Sequence, residues 1–164
     1  WAALLLGDIA IQKPLLDLVL SPEASGILDA LQARYPEPTL ESVLNQNGQR
    51  FAVARAWSEF FTEYPVLLSP TWAMPPFEHD ADARGDEIAE LLADTLRPVL
   101  QGNLIGIPAA VVPFGFAAGT PVGVQVYGDR FTDLRCLAIA EQIEQAAAAT
   151  SDEVATPIDP VLAS

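Results

Sequence analysis

"GNLIGIPAAVVPFGFAAGTPVGVQVYG", residues 102–128, carries the reading of the fold. Two apolar runs, AAVVPFGF and VGVQVYG, flank AAGTP, a five-residue connection containing Gly119, and together they predict a β-hairpin. Proline has no N–H for a ladder, so Pro113 and Pro121 place parts of this hairpin at sheet edges, bulges or strand ends. Gly102 and Gly106 suit a tight approach where the chain leaves a preceding helix, and Gly115, Gly123 and Gly128 suit bends or close packing.

Outward from the hairpin the period changes. Ile88, Leu91, Leu92, Thr95, Leu96 and Val99 recur at helical spacing from about Asp86, and Pro98 should end or kink that helix. Downstream, FTDLRCLAIAEQIEQAAAA reads as a helix, with Thr132 able to cap and Asp133 complementing the dipole, before an Asp/Pro-rich tail from Thr150.

Upstream, VLLSP is a continuous apolar run ended by Pro70 and predicts a strand buried on both faces. The loop TWAMPPFEHDADARGDE follows it, and its Trp72, Met74 and Phe77 must pack beneath the loop or line a pocket. Before the strand, Val53, Trp57, Phe60, Phe61 and Tyr64 form one stripe of an amphipathic helix, expected to pack as core. Earlier still, Ser21-Pro22-Glu23 starts a helix to about residue 34. Thr39 caps a short one, stopped at Asn47-Gly48. Helices, strand, loop, helix, hairpin and helix in this order point to a layered α/β architecture, a β-sheet flanked by helices.

Composition narrows the function. The 164 residues carry Lys+Arg 8 against Asp+Glu 22, a formal charge of −14, which repels phosphate backbones and anionic lipid. Nucleic acid and membrane are therefore excluded as partners. Cys136 is the one cysteine, so no internal disulfide forms. It reads as a packed hydrophobe, and a reducing, cytoplasmic compartment is expected. Trp1 rather than Met stands first, giving the expectation that the chain begins inside a longer polypeptide.

The chemistry is mostly absent. There is no G-x-S-x-G, H-E-x-x-H, C-x-x-C, P-loop or G-x-G-x-x-G pattern, and neither a metal nor a cofactor is expected. His79 is the sole histidine, so a conventional triad would have to join it to Ser69, at the strand end, yet nothing near Ser69 in sequence could take its proton.

YPVLLSPTWAMP, then GNLIGIPAAVVPFGF, then TPVGVQVYGDRFTDLRCLAIAEQIE resemble the C-terminal part of the amidase signature family. The matching elements are Ser69-Pro70-Thr71, Asn103 to Ala109, Val112-Pro113-Phe114-Gly115, and Pro121-Val122-Gly123 with Gln125. The likeness covers about residues 49–148, whereas 1–48 match only in helical character.

The resemblance implies a mixed sheet flanked by helices. It divides the chain into a helical lead-in (1–48), the C-terminal part of an amidase-like domain (49–149) and a tail (150–164). It also implies hydrolysis of a carboxylic amide by a serine activated through a second serine and a lysine. This chain has no adjacent serines, and its one lysine, Lys13, stands in IQKPLLD, outside the family's lysine context. No catalytic residue is assigned, and the chain alone is expected to be inactive. Thr71, Trp72 and Met74 with Asn103 are the candidate substrate-binding residues, lining a pocket for a small-molecule amide.

The expected partner is the N-terminal remainder of an amidase, and the surface it would cover should favour homo-oligomers or poor solubility. Two other readings stand beside this one. One is a non-catalytic relative that binds a small molecule or a partner chain, and the other is an unrelated hydrolase using Ser69 with His79.

Overall fold

The computed structural model describes residues 2–33, 39–75, 77–78 and 94–150. In chain order the elements are helices α1 (Ala2–Leu16), α2 (Pro22–Ala33) and α3 (Leu40–Glu63), strand β1 (Leu67–Pro70), helix α4 (Arg97–Ile105), strands β2 (Ala109–Ala117) and β3 (Thr120–Tyr127), and helix α5 (Asp133–Thr150).

The helix starts follow from local chemistry. Ser21 Oγ accepts from the Ala24 N–H at the head of α2. At α3, Thr39 and Ser42 form a reciprocal box, Ser42 N–H to Thr39 Oγ1 at 3.1 Å and Thr39 N–H to Ser42 Oγ at 2.9 Å. The expected stop at Asn47-Gly48 does not occur, because α3 continues for 24 residues through both. One interior glycine costs about 1 kcal/mol, which the box and the aromatic half of the helix outweigh.

That half carries the predicted stripe only in part. Trp57, Phe60, Phe61 and Tyr64 form a ladder of ring contacts with centroids 5.0–5.9 Å apart. Phe61 and Ala54 are buried, while Val53, Phe60 and Tyr64 remain exposed.

The sheet has the order β1-β3-β2, both pairings antiparallel. The hairpin connection is shorter than expected. The strands run on to Ala117 and Thr120, leaving Ala118 and Gly119 as a two-residue turn with φ of 50° and 77°, the left-handed pair that matches strand twist. Pro113 sits at a register shift, with Phe114 the extra residue, so its missing N–H falls at a bulge as the sequence suggested. β1 is an edge strand and Leu68 is 53% exposed, contrary to the expected burial on both faces. Its run is continuously apolar, but among the described residues it has a neighbour only on the β3 side.

One face of the sheet presents Ala110, Val112 and Val126 to Cys136 and Ala140 of α5, and these form the main core. Helix α5 begins as predicted, but the Thr132 hydroxyl donates to Asp129 O at 2.6 Å instead of capping, and the Thr132 carbonyl accepts from Arg135 and Cys136. The other face meets α4. The sequence places Val99 in the predicted helical pattern and has Pro98 end or kink that helix. The chain does break at Leu96, and Pro98 then lies in the first turn of α4, where its missing N–H costs nothing. Residues 79–93, which hold most of the predicted preceding helix, lie outside the described residues. Gly106, φ 68°, closes α4 in the left-handed cap conformation.

Gly102 is where α4 touches the sheet. A β-carbon there would lie 2.6 Å from Cε1 of Tyr127, whose ring is 2% exposed and whose hydroxyl donates to Pro98 O at 3.0 Å. The ring is held at both ends and cannot swing away. Gly102→Ala should therefore destabilise the chain by about 1–2 kcal/mol, overpacking outweighing the roughly 1 kcal/mol gain in helix propensity. Urea unfolding of the two proteins checks this, and equal or greater stability of the alanine variant would refute the contact.

Candidate functional site

A cleft of about 820 Å³ opens where the segment after β1 crosses the start of β3. Its walls are Pro70 to Pro75 and Phe77 on one side, and Ala117 with Pro121 to Val124 on the other. Of the predicted binding residues, Thr71, Trp72 and Met74 line this space together. Asn103 is not among the lining residues and lies exposed on α4.

The antiparallel pairing of Pro70 with Val124 makes the cleft. It carries residues 71–75 and Phe77, beyond the end of β1, alongside 121–123, the stretch of β3 not paired with β1. Gly123 keeps this floor low, since a β-carbon there would lie 3.1 Å from Thr71 Oγ1.

Two hydrogen bonds hold the lip. Ala73 N–H donates to Thr95 O at 3.2 Å, and the Thr95 hydroxyl, on a fully buried side chain, meets Met74 Sδ at 2.8 Å. Thr95 was not legible as a site residue. In sequence it is one position in an amphipathic pattern, 21 residues from Met74.

Below the lip, Gln125 is 4% exposed, and its amide reaches Ser69 Oγ at 3.3 Å and Pro98 O at 3.4 Å. It ties β1 to α4 directly behind the cleft. No described lining residue is ionisable. Thr71 Oγ1 is buried and has no hydrogen-bond partner among the described residues.

Among the described residues, Ser69 and Cys136 are engaged or shielded. Ser69 Oγ donates to Pro70 O at 3.1 Å and accepts from Gln125, and neither is a base. His79 lies outside the described residues. Cys136 is buried on α5, where desolvation pushes its thiol up and keeps it protonated. Burial likewise raises Tyr127.

Lys13 lies far from the cleft in sequence and is committed elsewhere. Its ammonium contacts Asp17 at 2.6 Å, Ser25 Oγ at 2.8 Å and Asp29 at 3.1 Å, clasping α1 to α2. The hydrogen bond to Asp17 chiefly raises its pKa, the opposite of what a base at neutral pH needs.

The Amidase family profile matches residues 9–137, most of the chain. The chain belongs to the amidase family. The match begins well before residue 49, so the family likeness reaches into α1, α2 and the first half of α3.

An indoleacetamide hydrolase of Bradyrhizobium japonicum is 35% identical over 109 residues, covering 66% of this chain and 23% of the relative. The A-type subunit of a glutamyl-tRNA(Gln) amidotransferase from Synechococcus sp. (strain CC9902) is 38% identical over 112 residues, covering 68% and 22%. Among solved structures, an amidase aligns with a TM-score of 0.65 at 22% identity over 84% of this chain and 32% of its own. A bacterial aryl acylamidase of the Amidase signature family gives 0.61 at 23% over 85% and 31%. The chain thus spans about a quarter to a third of the length of these relatives. The structural likenesses place its α/β arrangement within the amidase fold.

In this amidase-family chain the Lys13 clasp has a defined pH response. Lys13, then Ser25, hold the Asp17 carboxyl below its usual value, so its stabilising effect is full above that value and is lost as pH falls through the depressed one. Lys13, raised, acts in the opposite sense, its contribution disappearing only as pH rises through its elevated pKa. Protection of the α1 and α2 amides against hydrogen exchange should be greatest between roughly pH 5 and 9 and fall below about pH 4. Lys13→Met should remove this difference, and an unchanged profile in that variant would show that the clasp has no such role.

Proposed function

We propose that this chain forms the C-terminal sheet and one substrate-pocket wall of an amidase that hydrolyses a carboxylic amide C–N bond. On this reading the Ser-Ser-Lys system lies in sequence outside these 164 residues, and the cleft beside Thr71, Trp72 and Met74 receives part of the substrate, with Asn103 a peripheral contact.

One observation carries the proposal. A family match across residues 9–137 accompanies a formed cleft in which no described lining residue is a nucleophile with a base beside it. A serine hydroxyl needs an adjacent proton acceptor, and acyl transfer needs oriented donors for the oxyanion. Ser69, Cys136 and Lys13 are each held in other interactions. The lone buried thiol suits a reducing, cytoplasmic setting.

The exposed apolar side chains favour a part of a larger body over a free-standing binding protein. Leu68 on β1 and Val111, Phe114 and Phe116 on β2, the two edges of the sheet among the described residues, are all exposed. Such surface suits a covering partner, here the remainder of the amidase, and left uncovered it favours self-association.

The purified chain should give no turnover of a simple aryl amide or ester. Rates near the usual enzymatic range, about 1 s⁻¹ or more, would overturn the proposal. In an intact enzyme carrying this segment, Trp72→Ala should shift kcat/KM between bulky and minimal amides by about tenfold and leave kcat for the minimal amide nearly unchanged. The size follows from burying a ring-sized apolar contact worth about 1–3 kcal/mol. An unaltered preference would remove Trp72 from the pocket.

A further inference from the structure

The chain has one methionine and one cysteine, and their settings are opposite. Cys136 is 1% exposed within the core, and burial keeps its thiol protonated, the form that reacts poorly with oxidants. Met74 is half-buried and lines the open cleft. A thioether needs no deprotonation to react, so this sulfur, and not the thiol, meets an oxidant arriving from solvent.

The same sulfur has a structural task. It accepts from the Thr95 hydroxyl at 2.8 Å, while Thr95 O accepts from the Ala73 N–H at 3.2 Å. Both bonds reach one residue whose side chain is fully buried, so residues 73 and 74 are clamped to the segment just before α4.

From these contacts we propose that Met74 is an oxidation site and that its sulfoxide releases the lip of the cleft from Thr95. The oxidant is hydrogen peroxide. A sulfur lone pair attacks one peroxide oxygen, the O–O bond breaks, and the departing hydroxide takes the proton of the transferred oxygen and leaves as water. Sulfur is oxidised by two electrons and the peroxide is reduced, with one S=O bond formed and one water released.

Release follows from the geometry. With the Thr95 oxygen 2.8 Å from the sulfur no atom fits between them, so the new oxygen forms on the side away from that hydroxyl. A sulfoxide sulfur carries positive charge and no longer accepts, and the bond from Thr95 to it is lost. The S=O oxygen, a strong acceptor, then stands against a wall where Pro75 and Phe77 offer no side-chain donor. An unmatched polar group there is costly. Turning the oxygen out to water, or round to the Thr95 hydroxyl, relieves the cost, and either turn moves residues 73 and 74 off their anchor. Methionine sulfoxide reductases restore the thioether, which makes the change reversible. The release depends on the lip alone, whatever group the cleft admits, and so stands apart from the amidase reading.

The test exposes the 164-residue chain to hydrogen peroxide at concentrations that oxidise free methionine, with peptide mass spectrometry and hydrogen exchange at the Ala73 amide as readouts. One oxygen should be gained at Met74 and none at Cys136. Exchange at Ala73 should quicken by about fivefold, the size of one hydrogen bond, and slow again after treatment with the reductases. Met74→Leu keeps the bulk of the side chain without its sulfur, so its Ala73 exchange should be faster from the start and should not respond to peroxide. Thr95→Val, of the same shape without the donor, should still gain the oxygen at Met74 but respond by less than about twofold.

A Met74 that stays unoxidised while free methionine reacts, or an Ala73 exchange rate unchanged by the sulfoxide, would overturn the proposal. An equal response to peroxide in Met74→Leu, or a full response in Thr95→Val, would do the same.

Discussion

Gln125 and Tyr127, neighbours on the same face of β3, both donate to a single acceptor, the carbonyl oxygen of Pro98. Gln101, one turn further along α4, donates to the same oxygen. This convergence locks a nine-residue helix, too short to persist alone, against the sheet. Gly102 permits it, because the Tyr127 ring fills the space a side chain would need. The placement of α4 in turn fixes Thr95, just before it, and Thr95 fixes the lip of the cleft.

The cleft is therefore a by-product of strand pairing as much as of its own residues. β1 contributes four residues and stops at Pro70, so the chain leaves the sheet at the point where β3 still continues toward the hairpin. The space so created is apolar because one border carries prolines, Trp72 and Phe77 and the other is built from Ala117, Pro121, Val122, Gly123 and Val124. The charges of this acidic chain lie elsewhere, as in the Lys13 clasp on α1 and α2.

Much of the fold was legible because it rests on local rules. The Ser21 and Thr39 starts, the hairpin, the bulge at Pro113 and the buried Cys136 each follow from a residue's own donors, acceptors or missing N–H. Errors arose where a local preference was outweighed. Gly48 reads as a stop, yet α3 passes through it. VLLSP reads as doubly buried, yet β1 lies at an edge, since apolar composition does not report how many neighbours a strand has. The end or kink expected at Pro98 occurs as a break at Leu96, but the docking of α4 was not legible, because its support comes from Tyr127, far along the chain on another element.

Thr71, Trp72 and Met74 could be proposed from sequence because three successive signals coincide there: a strand end, prolines and apolar residues in a loop. Thr95 carried no such mark, and Pro121 and Val122 were marked only by the hairpin and by the family likeness. Sequence alone determined the family and the absence of paired serines, since motifs and residue types are properties of the chain itself. Only the tertiary structure decided which side chains share the cleft and that the Thr71 hydroxyl stands unmatched among the described residues. The physical reason is that contacts between positions so distant in the chain depend on strand register and helix docking, which no local pattern encodes.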